Sequence, residues 1–354
     1  MEKPNRYIIF GAGAMGGIVA GFLVRAGMSV VCVARPFQAE ALRSGFVIKE
    51  TGEEIRAQAR AVTSVKDIVP KRGDLVILMT KSQATRGAIE ELSAVYDRET
   101  PVLCLQNGIR NESITCERFE RVYAGLLMWS GVQLKPDEIF LSFGREVSIG
   151  CYPTGLDSLA SHCCDDLARA GFDTLASEHV MAMKWGKLVA NLNNATHTIT
   201  GYWLERGMKD ADMRELMLAV REEGLIVLDA EGIEVEPPPG EPSQIRILGM
   251  TEKLRRPLKS YSTDDALPPE RRTYSSMWQD IYLGRKTSEI EFLNGEIIEL
   301  GKKHSIPTPY NSTLAEVINR MIAEHIKPGL YTPAELHALV RIKKADQVST
   351  NPLS

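Results

Sequence analysis

Along the first 175 residues, apolar positions gather in short β-rich runs separated by helix-like stretches. The runs are RYIIF, SVVCVA, DLVILM and PVLCL, with helical segments ending near Gly27 and spanning about 83–95, and further runs near 122–133 and 138–150. Strands alternating with helices predict a mainly parallel sheet covered on both faces. After Ser177 the period changes. Amphipathic segments near 178–202, 208–232, 243–258, 274–283, 287–304 and 311–324 are long and helical, with almost no strand signal. The pattern thus predicts an α/β domain over 1–177, an all-helical domain over 178–330, and a polar C-terminal tail over 331–354 that forms a short helix and then frays. EVEPPPGEPS (234–243) and STDDALPPERRTYSS (262–276) read as loops, the first because its prolines forbid helix.

Composition narrows the classes. A chain of 354 residues is long enough for two domains, and its 44% hydrophobic and 25% charged content is that of an ordinary globular protein. The net charge of -4 lacks the basic excess that phosphate-backbone binding requires, so nucleic acid is not an expected partner. No apolar run is long enough to span a bilayer, and the N-terminus passes almost directly into YIIF without a cleavage pattern. The expected location is the cytoplasm, with no membrane partner. Cys32, Cys104, Cys116, Cys151, Cys163 and Cys164 show no spacing that builds a metal site, and no metal is expected. The adjacent Cys163 and Cys164 sit in a predicted helix, where ordinary burial of one of them is expected rather than redox chemistry.

Candidate chemistry begins with YIIFGAGAMGG, in which Gly11, Gly13 and Gly16 follow a predicted strand and open a predicted helix. In such a loop the first glycine allows a tight turn, the second lets the backbone approach a pyrophosphate, and the third lets helix and strand pack closely. Gly11, Ala12, Gly13, Ala14, Met15 and Gly16 are therefore the candidate phosphate cradle, with the positive end of the helix dipole behind it. About twenty residues on, an NAD-binding chain carries an acid for the ribose hydroxyls. Here VCVARPFQ places Arg35 instead, a cation suited to a 2′-phosphate, so NADP(H) is the expected cofactor. Lys81 in VILMTKS and Asn107 in VLCLQNGI fall at the carboxyl ends of predicted strands, where open α/β sheets bind ligands. Asn107 is equally readable as a ligand-contacting amide or as a simple Asn-Gly turn.

In KWGKLVANLNNATH, steps of four and seven residues bring Lys187, Asn191 and Asn194 into one polar stripe. Trp185, Leu188, Val189, Leu192 and Ile199 flank it and are expected to be packed. A solvated stripe more usually carries Glu, Gln and several Lys, since asparagine is a mediocre helix former.

Together with SSMWQDI and GRKTSEIEFLNGEIIELGKKHSIPTPYN over 275–311, these stretches resemble the ketopantoate reductases, also called 2-dehydropantoate 2-reductases, across residues 6–325. The resemblance implies an N-terminal Rossmann domain binding NADPH, an all-helical C-terminal domain, and reduction of ketopantoate to (R)-pantoate in pantothenate biosynthesis. It further implies Lys187 as general acid, with Glu289 beside it, and substrate contacts from Asn107, Asn191 and Ser276; Asn194 is a further substrate candidate by its place on the Lys187 stripe. Lys81 and Asn107 join the cofactor side, and a homodimer is plausible. Three departures stand out. The family's second helix asparagine normally follows the first by four residues, but that position is Ala195 and Asn194 comes one residue early. One residue is inserted between Ser276 and Glu289, and GLLMWSGVQLKPDE lacks the small polar run expected near the cofactor. The competing readings are a reductase of another branched or bulky 2-keto acid and a catalytically idle NADPH-binding or sensing protein. A positioned acid at Lys187 and Glu289 argues against the idle protein.

Overall fold

The computed structural model describes residues 3–50, 52–237 and 272–349. The expected helix over 243–258, and most of the two expected loops beside it, lie outside the described residues. The chain forms two compact units, one over Met1–Lys184 and one beginning at Trp185. The sequence pattern put the change of character at 177.

The first unit carries β1 (Arg6–Phe10), α1 (Ala14–Arg25), β2 (Val30–Val33), α2 (Pro36–Ser44), β3 (Phe46–Glu50), β4 (Glu53–Ala57) and β5 (Arg60–Val62). It continues through β6 (Asp74–Leu78), α3 (Thr85–Ser93), β7 (Val102–Cys104), α4 (Asn111–Cys116), β8 (Val122–Leu127), β9 (Ser130–Lys135) and β10 (Glu138–Phe143). β11 (Glu146–Cys151), α5 (Ser158–Ala170), β12 (Asp173–Ala176) and the start of α6 (Val180–Asn191) complete it.

The main sheet has eight strands in the order β12-β11-β8-β7-β6-β1-β2-β5, parallel except where β11 meets β8. Strands β1, β6 and β7 are buried throughout, which is why they read as unbroken apolar runs. The chain winds outward from β1 to β2 and β5, then returns to β6 on the other side of β1. That reversal opens a crevice at the carboxyl ends of β1 and β6.

A second sheet was not expected from the sequence. Its four strands run β4-β3-β10-β9, with β3 and β10 parallel and both outer pairs antiparallel. Helix α1 packs against this sheet as well as the main one, and its residues from Gly16 to Leu23 are all buried. Glycines make that possible. A Cβ on Gly17 would lie 2.6 Å from Ile139 Cδ1, and one on Gly21 would lie 2.6 Å from Ile48 Cδ1. Cys163 and Cys164 are both buried, correcting the expectation of one, because α5 packs against β11, β12 and α1. Burial pushes the Cys164 thiol up to about 11.

The second unit is helical: the rest of α6, then α7 (Asn193–Thr200), α8 (Leu204–Lys209), α9 (Ala211–Glu231), α10 (Ser276–Tyr282), α11 (Asn294–Lys303), α12 (Pro309–Ala323) and α13 (Pro333–Ser349). Leu192, Ile199, Met213, Leu216, Val220, Ile297, Leu314 and Ile318 form its buried interior. Two expectations change here. The helix expected over 178–202 is interrupted at Leu192, and the short terminal helix is instead 17 residues long. Its length follows from packing, since Leu336 and Val340, one turn apart, are buried and α13 lies against α9 and α12.

Candidate functional site

The glycine loop sits at the crevice. Gly11 has φ of 95°, and a Cβ there would meet the Thr80 amide nitrogen at 2.8 Å, so glycine both makes the turn and admits the neighbouring chain. The amides of Gly11 and Ala12 bond to the Val33 carbonyl at 3.0 and 3.1 Å, tying the loop to the end of β2. At Gly16 a Cβ would stand 2.7 Å from the Gly11 carbonyl oxygen and 3.2 Å from Ile9, which is the close helix–strand approach expected of the third glycine. Gly13 differs. It is exposed, and a Cβ built there meets nothing within 4 Å. The backbone therefore turns an open, side-chain-free face outward at the first turn of α1, where the leading amides have no partner earlier in the helix. Those features fit a pyrophosphate: donors, a positive dipole end, and room. Ala14 and Met15 are half-buried beside it, whereas Ala12 is buried, so Ala12 offers backbone alone.

Arg35 caps α2 just beyond β2 and is exposed, its guanidinium 4.9 Å from the centre of the Phe37 ring. Among the described residues it has no acidic partner. Lys81 is half-buried at the start of a short 3-10 turn over Ser82–Ala84. Arg35, the glycine loop, Lys81 and Asn107 thus sit at the carboxyl ends of four adjacent strands, β2, β1, β6 and β7.

A buried polar network fixes the loops after β6 and β7 to each other. Gln106 donates through Nε2 to the Thr80 carbonyl (2.9 Å) and to Thr85 Oγ1 (2.8 Å). Thr85 donates to Asn111 Oδ1, and Asn111 Nδ2 donates to the Asn107 carbonyl, both at 2.7 Å. Ser82 Oγ donates to that same carbonyl at 2.7 Å. The backbone of Asn107 is pinned twice, and its side-chain amide stays out of the network. Ser82, Thr85 and Asn111 were not singled out from the sequence, and neither were two further members, Lys184 and Glu112. Lys184 on α6 donates to the Gln106 carbonyl at 3.2 Å and forms an ion pair with Glu112, the two side chains being 2% and 0% exposed. Burial raises the Glu112 carboxyl, and the Lys184 ammonium draws it part of the way back. The available signal was a lysine in the apolar opening of a helix, VMAMKWGK. Its partner lies 72 residues away and leaves no local trace.

In the second unit, Lys187 and Asn191 lie one turn apart on α6, and Asn194 lies beyond the interruption on α7. All three are half-buried, while Leu188, Val189, Leu192, Ala195 and Ile199 are buried. The polar stripe therefore keeps access to solvent along helices that are otherwise enclosed. Trp185, expected among the packed flanks, is also half-buried. Helix α10 packs on α7, and the Ser275 hydroxyl lies 3.4 Å from both the Asn194 carbonyl and Thr198 Oγ1 while capping the Trp278 amide. That contact brings the first residue of α10, the exposed Ser276, near the Asn194 end of the stripe. Glu289 is buried and stands just before the 3-10 turn Ile290–Phe292. Among the described residues no group of three or more His, Cys, Asp or Glu could hold a metal ion, and no helix is long and apolar enough to cross a membrane.

Comparison with known proteins agrees across both units. Residues 7–154 match the family "Ketopantoate reductase PanE/ApbA", and residues 179–322 match "Ketopantoate reductase PanE/ApbA C terminal". The 2-dehydropantoate 2-reductase of Pyrococcus horikoshii is 32% identical over 311 residues, covering 86% of this chain and 94% of that protein. A PanE/ApbA family ketopantoate reductase from Ralstonia eutropha superposes with a TM-score of 0.76 at 25% identity, over 90% of this chain and 99% of that one. A D-mandelate dehydrogenase solved with NADH and anilino(oxo)acetate gives a TM-score of 0.75 at 25% identity, with the same coverage. With relatives matched along both its nucleotide-type α/β unit and its helical unit, the chain belongs to the ketopantoate reductase family of NADP-dependent oxidoreductases acting on CH–OH groups.

Proposed function

We propose that this protein reduces ketopantoate to (R)-pantoate with NADPH, the step that supplies pantothenate biosynthesis. The observation that carries the reading is the half-buried stripe of Lys187, Asn191 and Asn194 on otherwise buried helices, within the part of the chain that matches the ketopantoate reductase C terminus. In this reading residues 1–177 bind the nucleotide and residues 178–330 bind the keto acid. The phosphates take the leading amides of α1, those of Ala14, Met15 and Gly16, beside the loop that Gly11, Ala12 and Gly13 form; the 2′-phosphate takes Arg35 and Lys81, and Asn107 serves both cofactor and substrate.

NADPH, when bound, supplies the hydride that reduces the keto carbon. The carbonyl oxygen gains negative charge as that happens, and the Lys187 ammonium stabilises it and then donates a proton to it, leaving a neutral amine that recovers its proton from water. Asn191, Asn194 and Ser276 bind the substrate's polar groups, and Glu289 supports the charged form of the lysine.

A second reading has its own support. Ala195 replaces the family's asparagine and is buried, and the related D-mandelate dehydrogenase was solved with anilino(oxo)acetate, so a bulkier 2-keto acid competes with ketopantoate. Oxidation of NADPH, followed by its absorbance with ketopantoate, 2-oxoisovalerate and benzoylformate in parallel, separates the two. Preferred turnover of ketopantoate supports the first reading, and preferred turnover of benzoylformate replaces it with the second. Binding of NADPH without turnover of any keto acid refutes both. Repeating the measurement with NADH and with Arg35→Ala tests the cofactor, since loss of Arg35 should weaken NADPH and leave NADH unchanged.

A further inference from the structure

The loop after β7 carries Asn107, and side chains rather than the backbone hold it. Among the described residues no backbone N–H from Gln106 to Ile109 donates to a backbone carbonyl, and Gly108 turns the chain with φ of 81°. Two side chains hold the peptide that follows Asn107: Ser82 Oγ and Asn111 Nδ2 both donate to its carbonyl at 2.7 Å. Asn111 Nδ2 also reaches Ser82 Oγ at 3.4 Å, which turns the Ser82 proton toward the same carbonyl. Lys184 Nζ holds the peptide before Asn107, donating to the Gln106 carbonyl at 3.2 Å. Peptides are planar, so with the planes on both sides of its Cα held, the direction of the Asn107 Cα–Cβ bond is held as well.

We propose that Asn111 is a positioning residue that aims the Asn107 side chain for its contacts with cofactor and keto acid. The inference rests on the function proposed above. Each bond in the chain behind Asn111 has one direction. The Asn107 carbonyl can only accept, so Asn111 turns its nitrogen there and its oxygen to the Thr85 hydroxyl, 2.7 Å away. The Thr80 carbonyl orients Gln106 in the same way, and Gln106 Nε2 then reaches Thr85 Oγ1 at 2.8 Å. Thr85 therefore accepts from Gln106 and donates to Asn111. Asn111 is 1% exposed and Thr85 0%, so water does not compete for these bonds. The far end of the chain is Thr80, whose backbone nitrogen would stand 2.8 Å from a Cβ on Gly11. The chain thus runs from the glycine loop to Asn107 and sets one against the other.

The test is a double-mutant cycle between Asn111→Ala and Asn107→Ala, read by keto acid turnover, NADPH affinity and melting temperature. A group misplaced by about 1 Å costs up to about 100-fold in rate, so Asn111→Ala should lower kcat/KM for the keto acid by about 10- to 100-fold. NADPH affinity should stay near the native value, because the phosphates bind at the start of α1 and at Arg35. In the Asn107→Ala background the same substitution should cost nothing further in kcat/KM, since no side chain is left to aim. A merely structural role lowers both backgrounds alike, and that additive result overturns the inference. Native kcat/KM in a folded Asn111→Ala or Asn107→Ala protein overturns it too. If Asn111→Ala does not fold, Ser82→Ala removes the other donor to the same carbonyl and is read through the same cycle with the same expectations. A native protein that turns over no keto acid overturns the function reading and this inference with it, whereas native turnover with an additive cycle overturns this inference alone.

Discussion

Substituting Gly13 by alanine separates cofactor binding from folding. The added Cβ meets nothing within 4 Å, so the folded chain has room for it. Two small effects on stability oppose each other. Alanine restricts the unfolded chain, which favours folding by about 0.4–1 kcal/mol, but it is a poorer helix cap than glycine by about the same amount. The net change is therefore within about 1 kcal/mol. Binding is different, because the methyl occupies the face that a pyrophosphate approaches. An extra methyl at a close contact costs about 1–3 kcal/mol, which is roughly a 10- to 100-fold loss of NADPH affinity. Fluorescence titration with NADPH reads the loss, and a thermal melt reads the fold. Gly16→Ala is the contrast. Its Cβ would lie 2.7 Å from a backbone oxygen, so that variant should be destabilised with or without cofactor. A folded Gly13→Ala protein that binds NADPH as tightly as the native one refutes the cradle.

Lys187→Ala should lower kcat by about 10²- to 10⁴-fold while the protein stays folded and binds NADPH, and near-normal turnover would remove the general acid role. Lys184→Met leaves Glu112 buried without its cation and should cost about 3–5 kcal/mol in urea unfolding. Adding Glu112→Leu should recover much of that loss, and failure of the double variant to improve on the single one would show that the ion pair is not what matters there. His197 donates through Nδ1 to the Tyr202 carbonyl, and burial pushes its pKa down to about 4 from an ordinary 6.5. Between those values the unfolded chain binds the proton and the folded one does not, so stability falls as pH drops from about 6.5 to 4, by roughly 3 kcal/mol in all. His197→Gln should flatten that slope in urea titrations at pH 7 and pH 5, and equal slopes would refute the assignment.

The elements that read well from sequence were those whose environment is uniform along their length. β1, β6 and β7 are enclosed on both faces, so their apolar runs were unambiguous, and the glycine loop showed itself because turn, approach and packing fall within six residues. The small sheet did not, since β3 and β4 are half-exposed and charged, and the other partner of β3, β10, lies far along the chain. A trace of it was present in IVAGFLV, a helix apolar on every side, which signals cover from more than one direction. The interruption at Leu192 had no local signature, since the backbone angles there stay helical at φ -53° and ψ -33°. The stripe of Lys187, Asn191 and Asn194 was legible from spacing. The buried pair of Lys184 and Glu112 depends on two residues meeting across the fold, and spacing says nothing about that.

The burial of α1 between two sheets fixes how the glycine loop at its start could recognise a ligand. A helix clamped on both sides, through glycines that leave no slack, cannot slide or tilt to meet a ligand. The amides at its start therefore form a rigid template rather than an adaptable grip. In the proposed reading, a dinucleotide whose phosphate linkage is longer or bulkier would be turned away at this loop by shape, before any charge on the ribose is read.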